Sequence, residues 1–365
     1  MADDRPEGSV AFSLVASDPG QGTQVSNSIR RRKWDGREPA PSRGDDLFSM
    51  NAYQDAHNHL QHAALDPHLA EILSTVRTLP VNWMVVNGTA ESDWEKVADM
   101  AKELSFVIPS FGLHPWFLLE RSKHWEEALC AYLTQTSCAV GEVGLDLWMQ
   151  NSDLQLQKKI LRTHLELAAE FQRPITIHCL RAWPELLELL PTVPIPNCGF
   201  LLHSYTGPAR MIEKFLSFGS YFSFSGYFLS RGKEEKAQTF REIPYDRLLV
   251  ETDAPEMPLP AERNQFPLPN AAGFECPNHP ANIQAVVRGL AEILKTPEDE
   301  VLRRVGQNFY RLFESVIPED REYRIQNTEY RIQNTEYRIQ NTEYRTPNSE
   351  LQTPNSKLQT PNPEF

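Results

Sequence analysis

The chain lacks the usual features of exported and membrane proteins. Its five cysteines are odd in number and include no Cys-x-x-Cys pair, which argues against a disulfide framework and against a structural zinc finger. It has no run of about eighteen apolar residues to form a membrane-spanning helix, and its amino terminus has no apolar stretch of the signal-peptide kind. We therefore expect a cytoplasmic protein with no membrane partner.

Positive charge is also scarce. The 365 residues include 36 Lys and Arg against 49 Asp and Glu, for a formal net charge of −13. Many nucleic-acid-binding proteins hold phosphates through an overall basic charge, and this chain cannot do so. Any phosphate ligand must therefore be held by local groups or by metal ions. The hydrophobic content of 40% is enough for a sizeable core.

Three segments of the chain differ in composition. Residues 1–49 are rich in Asp, Arg, Ser, Gly and Pro and show no sustained period, which predicts a disordered extension or the product of an upstream start before Met50. Residues 318–365 contain a seven-residue repeat with one Tyr and one Ile per unit, too few for a coiled-coil seam, and are predicted to form a disordered, low-complexity tail. Residues 50–317 are then the folded domain.

Within that domain, eight short β-rich apolar runs alternate with amphipathic helical segments. The predicted strands are 53–57, 83–88, 106–113, 139–145, 175–179, 199–203, 221–225 and 248–252. The predicted helices are 71–79, 93–104, 125–134, 154–171, 184–190, 209–218, 234–240 and 283–294, with a closing helix over 298–313. Strands that alternate with helices pair in parallel. Eight such units in roughly 250 residues match a (β/α)8 TIM barrel, which we prefer to a doubly wound open sheet.

Side chains that can bind metal lie at the carboxyl ends of these predicted strands. They are Asp55, His57 and His59 on the first strand, Glu142 and Asp146 on the fourth, His178 on the fifth, His203 on the sixth and Asp253 on the eighth. In a barrel these ends meet at one mouth. Any single histidine is more simply explained as a core or surface residue, but four at matching ends, with two acids, favour a metal site. Mixed imidazole and carboxylate donors suit zinc, manganese or iron, and magnesium less well.

The same residues belong to motifs that occur in a characteristic order. The motifs are Asp55-Ala-His57-Asn-His59-Leu60, Gly112-Leu-His114-Pro115, Gly141-Glu142-Val-Gly144-Leu-Asp146, Ile177-His178, Leu202-His203-Ser-Tyr-Thr-Gly207 and Glu251-Thr-Asp253-Ala-Pro255. In order and spacing they resemble the TatD family of metal-dependent deoxyribonucleases, and the resemblance covers residues 53–315. It implies an amidohydrolase-type TIM barrel that binds two divalent ions.

The resemblance also implies a role for each residue. His57, His59 and Asp253 would hold one ion, His178 and His203 the other, and Glu142 would bridge both. His114 would lie near the bound phosphate, and Asn282 and Asn308 fall in motifs typical of the carboxyl-terminal part of the family.

Two departures from the family pattern concern substrate contacts. Family members commonly carry Arg two residues after the strand-five histidine, where this chain has Leu180, with Arg181 one step later. Cys276-Pro277 stands before Asn278-His279-Pro280, where a basic residue is frequent. The metal ligands are unaffected, so the resemblance supports a metallohydrolase more strongly than a DNase.

The resulting hypothesis is a monomeric hydrolase that cleaves phosphodiester bonds, as a TatD-type, 3′-exonuclease-like deoxyribonuclease. Two divalent ions (Mg, Mn or Zn) would activate water, with Glu142 bridging and Asp253 accepting a proton. His114 and Arg181 would contact the phosphoryl group of DNA or another phosphoester. One alternative is hydrolysis of an amide, ester or lactone in the same barrel. Another is a non-catalytic metal-binding scaffold whose tail recruits partners.

Other polar and aromatic residues are given lesser roles. Asp146, Glu251 and His279 are expected to support the ligands or to pack. Tyr227 and Phe228 follow the seventh strand and are candidates for contact with a base. The four remaining histidines, on predicted loops or helices, are expected to be exposed to solvent: His62, His68, His124 and His164.

Overall fold

The computed structural model describes residues 52–148, 152–271 and 274–317. The predicted extension 1–49 and tail 318–365 lie outside these residues. The strands are β1 (Tyr53–Asn58), β2 (Val81–Asn87), β3 (Val107–Phe111), β4 (Ala139–Asp146), β5 (Ile175–Leu180), β6 (Phe200–Leu202), β7 (Ser220–Phe224) and β8 (Leu248–Val250). The helices are α1 (Leu69–Thr78), α2 (Glu91–Glu103), α3 (Trp125–Gln135), α4 (Leu154–Glu170), α5 (Trp183–Leu189), α6 (Ile212–Leu216), α7 (Glu234–Thr239), α8 (Ile283–Leu294) and α9 (Glu298–Phe313).

The eight strands form one parallel sheet in the order β1 to β8. Hydrogen bonds between the end of β1 and the segment after β8 bring the two edges together. The Asp253 amide donates to the His57 carbonyl at 3.0 Å, and the Asp55 carboxylate accepts from the Thr252 amide at 2.9 Å. The sheet is therefore a nearly closed (β/α)8 barrel, as predicted, and the open-sheet alternative is wrong.

Predicted and observed elements differ mainly at their ends. The sixth helix was expected over 209–218, but α6 is a short α-helix of five residues, and a 3-10 turn over Ala209–Met211 precedes it. Strands β6 and β8 are each three residues long. His203 and Asp253 therefore lie just beyond their strands, in the loops at the barrel mouth.

The barrel interior is apolar below the polar mouth. Leu201 of β6 and Leu249 of β8 belong to an inner cluster that Phe309 and Phe313 of α9 complete. Side chains two residues apart on a strand share a face. The positions that follow Leu201 and Leu249 on that face are His203 and Glu251, so the strands that build the inner cluster also direct polar groups into the mouth. In the part of the chain that the structure describes, no helix is both long and apolar enough to cross a bilayer.

His164 is buried, although it is one of the four histidines that were expected to be exposed to solvent. His62 and His124 are exposed and His68 is half-buried, but His164 is fully buried on the inner face of α4. Its ring stacks on Trp125 with centroids 4.9 Å apart, and its Nδ1 lies 2.8 Å from the Ile160 carbonyl. Burial lowers the pKa of His164 to about 4.

We expect this histidine to make the fold sensitive to acid. The unfolded chain binds the His164 proton more tightly than the folded chain, because the folded pKa is depressed from 6.5 to about 4. Stability is therefore lost as the pH falls through that window and is fully present above it. Measured by urea unfolding, wild type should lose about 2–3 kcal/mol more than His164→Phe between pH 7.5 and pH 4.5. Equal losses in the two proteins would show that His164 carries no such linkage.

Candidate metal centre

Glu142 lies at the centre of a buried cluster at the mouth. Its Oε2 atom is 3.5 Å from Nε2 of His57 and 3.3 Å from Nε2 of His59. Its Oε1 atom is 2.9 Å from Nδ1 of His178 and 2.9 Å from Nε2 of His203. Each carboxylate oxygen thus faces its own pair of imidazoles.

Asp253 completes the first of these pairs. Its Oδ1 atom is 3.4 Å from Nε2 of His57 and 3.5 Å from Nε2 of His59. Asp253 has φ 53°, in the left-handed region that Asp tolerates better than most residues other than Gly. The structure therefore brings together all six side chains that the sequence singles out as metal ligands, although five different strands supply them.

Two glycines allow the strands around Glu142 to approach closely. A Cβ on Gly144 would lie 1.9 Å from the carbonyl oxygen of His178, and one on Gly112 would lie 2.6 Å from the carbonyl oxygen of Glu142. Neither backbone can tolerate such a side chain without moving. These glycines of the Gly-Leu-His and Gly-Glu-Val-Gly-Leu-Asp motifs therefore position β3, β4 and β5 around the cluster.

The cluster attracts positive charge. Burial alone would lower the pKa of His59, but the carboxylates of Asp253 and Glu142 outweigh burial and raise it well above its usual value. Burial alone would raise the pKa of Glu142, but the neighbouring imidazoles, His203 above all, hold it well below its usual value. The carboxylates are therefore ionised at neutral pH and favour cations between them.

The donor set fits divalent cations. Oε1 of Glu142 is buried and makes no well-aligned hydrogen bond, although imidazole nitrogens lie close to it. Nε2 of His57 and Nε2 of His59 face each other at 3.2 Å. Nitrogen and oxygen atoms converging in this way are the usual ligands of zinc and related metals. His57, His59 and Asp253 form one candidate ligand group, and Glu142 belongs to two others, one with His57 and His203 and one with His114 and His178.

Two of the histidines have a buried carboxylate beside the ring nitrogen that faces away from Glu142. Nε2 of His178 is 2.9 Å from Oδ2 of Asp146. Nδ1 of His203 is 3.5 Å from Oε1 of Glu251, whose other oxygen accepts a hydrogen bond from the Ser223 hydroxyl. Each carboxylate orients its imidazole so that the opposite nitrogen faces Glu142. The sequence places Asp146 and Glu251 beside the ligands but does not indicate which histidine each one holds.

The structure separates the two candidate substrate contacts. His114 is buried, with Nε2 3.6 Å from Oε1 of Glu142, while its Nδ1 accepts a hydrogen bond from the Trp116 amide. Burial lowers the pKa of His114 to about 3, so the ring is neutral and its proton lies on Nε2. Arg181 is instead exposed at the rim, with its guanidinium 3.9 Å above the ring of Trp148.

Other contacts correct or extend the expectations for the aromatic residues. Phe228 is buried, stacking on Phe224, so the expectation that it contacts a base is wrong. Tyr227 is only half-buried. The sequence analysis missed Trp116 and Trp148, which are exposed in the loops after β3 and β4. The one signal in the sequence is that each tryptophan stands two residues after a site motif residue.

Comparison with known proteins places this arrangement in a family. The model of a family described as TatD related DNase matches residues 54–314. The chain is 27% identical over 265 residues to the uncharacterized metal-dependent hydrolase YabD of Bacillus subtilis, covering 71% of this chain and 98% of that protein. It is 28% identical over 208 residues to the 3'-5' ssDNA/RNA exonuclease TatD of Citrobacter koseri, covering 54% of this chain and 79% of that protein.

Solved structures show the same architecture. The crystal structure of YJJV, a TatD homolog from Escherichia coli, matches with a TM-score of 0.65 and 26% identity, covering 72% of this chain and 98% of that one. A TatD family hydrolase from Entamoeba histolytica matches with a TM-score of 0.63 and 18% identity, also covering 72% and 98%, and supports the fold alone.

Proposed function

Because the chain belongs to the TatD-related DNase family and is a metal-dependent hydrolase, we propose that it hydrolyses phosphodiester bonds of nucleic acid, as a 3′-exonuclease-like deoxyribonuclease. The observation that carries the proposal is the position of the Glu142 carboxylate in the buried cluster. One of its oxygens faces His57 and His59, and the other faces His178 and His203. The name of the Citrobacter koseri relative, a 3'-5' ssDNA/RNA exonuclease, supports the choice of substrate.

In this proposal the six clustered side chains hold two divalent ions. His57, His59 and Asp253 would hold one, His178 and His203 would hold the other, and Glu142 would contribute a ligand to both. When bound, such ions would lower the pKa of water and neutralise negative charge on the phosphoryl oxygens. The neighbouring acids Asp146 and Glu251 keep the imidazoles of the second pair in place.

Three side chains, Asp253, His114 and Arg181, would then transfer the proton and balance the charge on the substrate. Burial would raise the pKa of Asp253, but its contacts with His57 and His59 hold the pKa below the usual range, so Asp253 is ionised at neutral pH. Its place in the cluster beside both imidazoles supports the role of accepting a proton from the attacking water. The neutral His114 presents its Nε2–H toward the cluster and can donate a hydrogen bond to a phosphoryl oxygen. Arg181 is exposed at the rim and would pair with a phosphate farther along the DNA strand.

Release of nucleotides from single-stranded DNA tests the proposal. The full-length chain, supplied with Mg²⁺, Mn²⁺ or Zn²⁺, should shorten a strand with a free 3′ end and leave unchanged the same strand with a blocked 3′ end. Aryl esters, amides and lactones serve as competing substrates under the same conditions. Rapid lactone or ester hydrolysis without nucleotide release would replace the nuclease assignment with the carbonyl-directed alternative.

We expect Glu251→Gln to weaken metal binding without removing the chemistry. The amide lacks the negative charge that Glu251 places beside Nδ1 of His203. Loss of such support typically costs 10–100-fold in metal affinity or activity. The metal concentration for half-maximal activity should rise by about that factor, while kcat at saturating metal stays within a few-fold of wild type. An unchanged metal requirement would show that Glu251 does not support the site.

A further inference from the structure

Two tryptophans are exposed beside the centre. In the described residues the exposed large apolar side chains are Trp116 at 45%, Trp148 at 57% and Leu119 at 89%. All three lie in the loops that follow β3 and β4, at the end of the barrel that holds the cluster. Exposed indole rings beside a polar cluster are candidate contact surfaces, because burying their apolar faces against a ligand is favourable.

A single buried carboxylate fixes both tryptophans relative to the metal centre. Asp146 accepts a hydrogen bond from the indole Nε1 of Trp116 at 2.8 Å and from the backbone amide of Trp148 at 2.6 Å. The same carboxylate lies 2.9 Å from Nε2 of His178. The ring of Trp116 and the backbone of Trp148 are thus tied to the carboxylate that contacts this histidine.

A cation flanks the more exposed of the two rings. The Arg181 guanidinium lies 3.9 Å from the centroid of the Trp148 ring. The guanidinium covers one face of the ring, and the side chain is still 57% exposed. This arrangement suits a nucleotide, because a base can stack on the opposite face while a phosphate pairs with the cation. With a net charge of −13, the chain cannot depend on overall charge for this contact.

We propose that Trp116, Trp148 and Arg181 form a stacking platform that holds an unpaired nucleobase of the substrate strand beside His178. A base inside a duplex has both faces covered by its neighbours, so the platform favours single-stranded nucleic acid over duplex. A phosphoester without a base has nothing to stack on the rings and is also disfavoured. The platform rests on the proposed nuclease function and deepens it by naming the part of the substrate that is recognised.

Binding of matched strands to the full-length protein tests the platform. The probes are a nuclease-resistant phosphorothioate oligothymidylate and an abasic phosphorothioate strand of the same length and charge, followed by fluorescence anisotropy in the presence of Mn²⁺. Wild type should bind the thymidylate strand at least about 10-fold more tightly than the abasic strand. Trp148→Ala keeps the backbone amide that Asp146 accepts from. It should remove about 10-fold from the thymidylate affinity and leave the abasic affinity unchanged.

Two further variants control for folding and for surface apolarity. Trp148→Phe keeps an aromatic face and should retain most of the affinity, while Leu119→Ala removes an exposed apolar side chain from the same region and should change nothing. Equal binding of the two strands by wild type, or equal loss for both strands in Trp148→Ala, would overturn the platform. If the protein binds the thymidylate strand more tightly than the abasic strand but releases no nucleotides from cleavable DNA, the platform is supported and the nuclease proposal is wrong.

Discussion

Replacing Glu142 by glutamine should lower kcat for nucleotide release by about 10³-fold or more. Glu142 is the one residue whose two oxygens face both imidazole pairs, so its loss disturbs both halves of the centre at once. Groups that act as one catalytic set typically lose activity on this scale when one is removed. The measurement is steady-state kinetics on single-stranded DNA at saturating Mn²⁺.

The matched control for this change is Glu127→Gln, on the exposed face of α3, which should keep full activity. Circular dichroism of both variants separates loss of chemistry from loss of fold. Activity of Glu142→Gln within about 10-fold of wild type would contradict a bridging role for this carboxylate, since each tenfold is only about 1.4 kcal/mol of transition-state stabilisation.

Asp253→Asn is expected to lower kcat by about 10²–10⁴-fold, the range typical of a lost general base. Its contacts with His57 and His59 keep Asp253 ionised, and an amide can neither carry that charge nor accept a proton from water. KM for the strand should change little. The loss should persist when Mn²⁺ is raised well above saturation.

That persistence distinguishes the two roles given to Asp253. If excess Mn²⁺ restores the activity of Asp253→Asn to within about 10-fold of wild type, Asp253 acts only as a metal ligand. A higher metal concentration compensates for weaker metal binding, but it does not replace a lost proton acceptor. Asp299→Asn, at the exposed start of α9, is the control and should behave as wild type.

The barrel could be predicted from the sequence because its signals are local. Apolar β-rich runs of about five residues, separated by amphipathic segments, indicate strands and helices without knowledge of their contacts. The helices α8 and α9 begin and end at the predicted residues. The short helix α6 could not be predicted as such, because an amphipathic pattern does not show whether its first turn is α-helical or 3-10.

Burial of individual side chains was harder to predict. His164 was expected at the surface, yet it is buried because it lies on the same face of α4 as Ile160 and Leu161. A histidine among apolar residues at helical spacing can be either inside or at the edge of such a face. The stacking on Trp125 that settles the question comes from a separate helix, which the sequence does not place.

The candidate metal residues could be named from the sequence because strand ends converge in a barrel. What the sequence does not contain is the pairing between them. The contact of His178 with Asp146 spans 32 residues, and that of Ser223 with Glu251 spans 28. The exposure of Trp116 and Trp148 is likewise a property of two loops packed in three dimensions, and the pattern of either loop alone does not reveal it.

Elemental analysis of the purified full-length chain, dialysed after loading with Zn²⁺ or Mn²⁺, tests the central claim most directly. Two divalent ions per chain are expected for wild type, and about one for the double variant His178→Ala, His203→Ala, in which the set formed by His57, His59 and Asp253 is intact. A folded wild-type chain that retains no divalent ion would contradict the account.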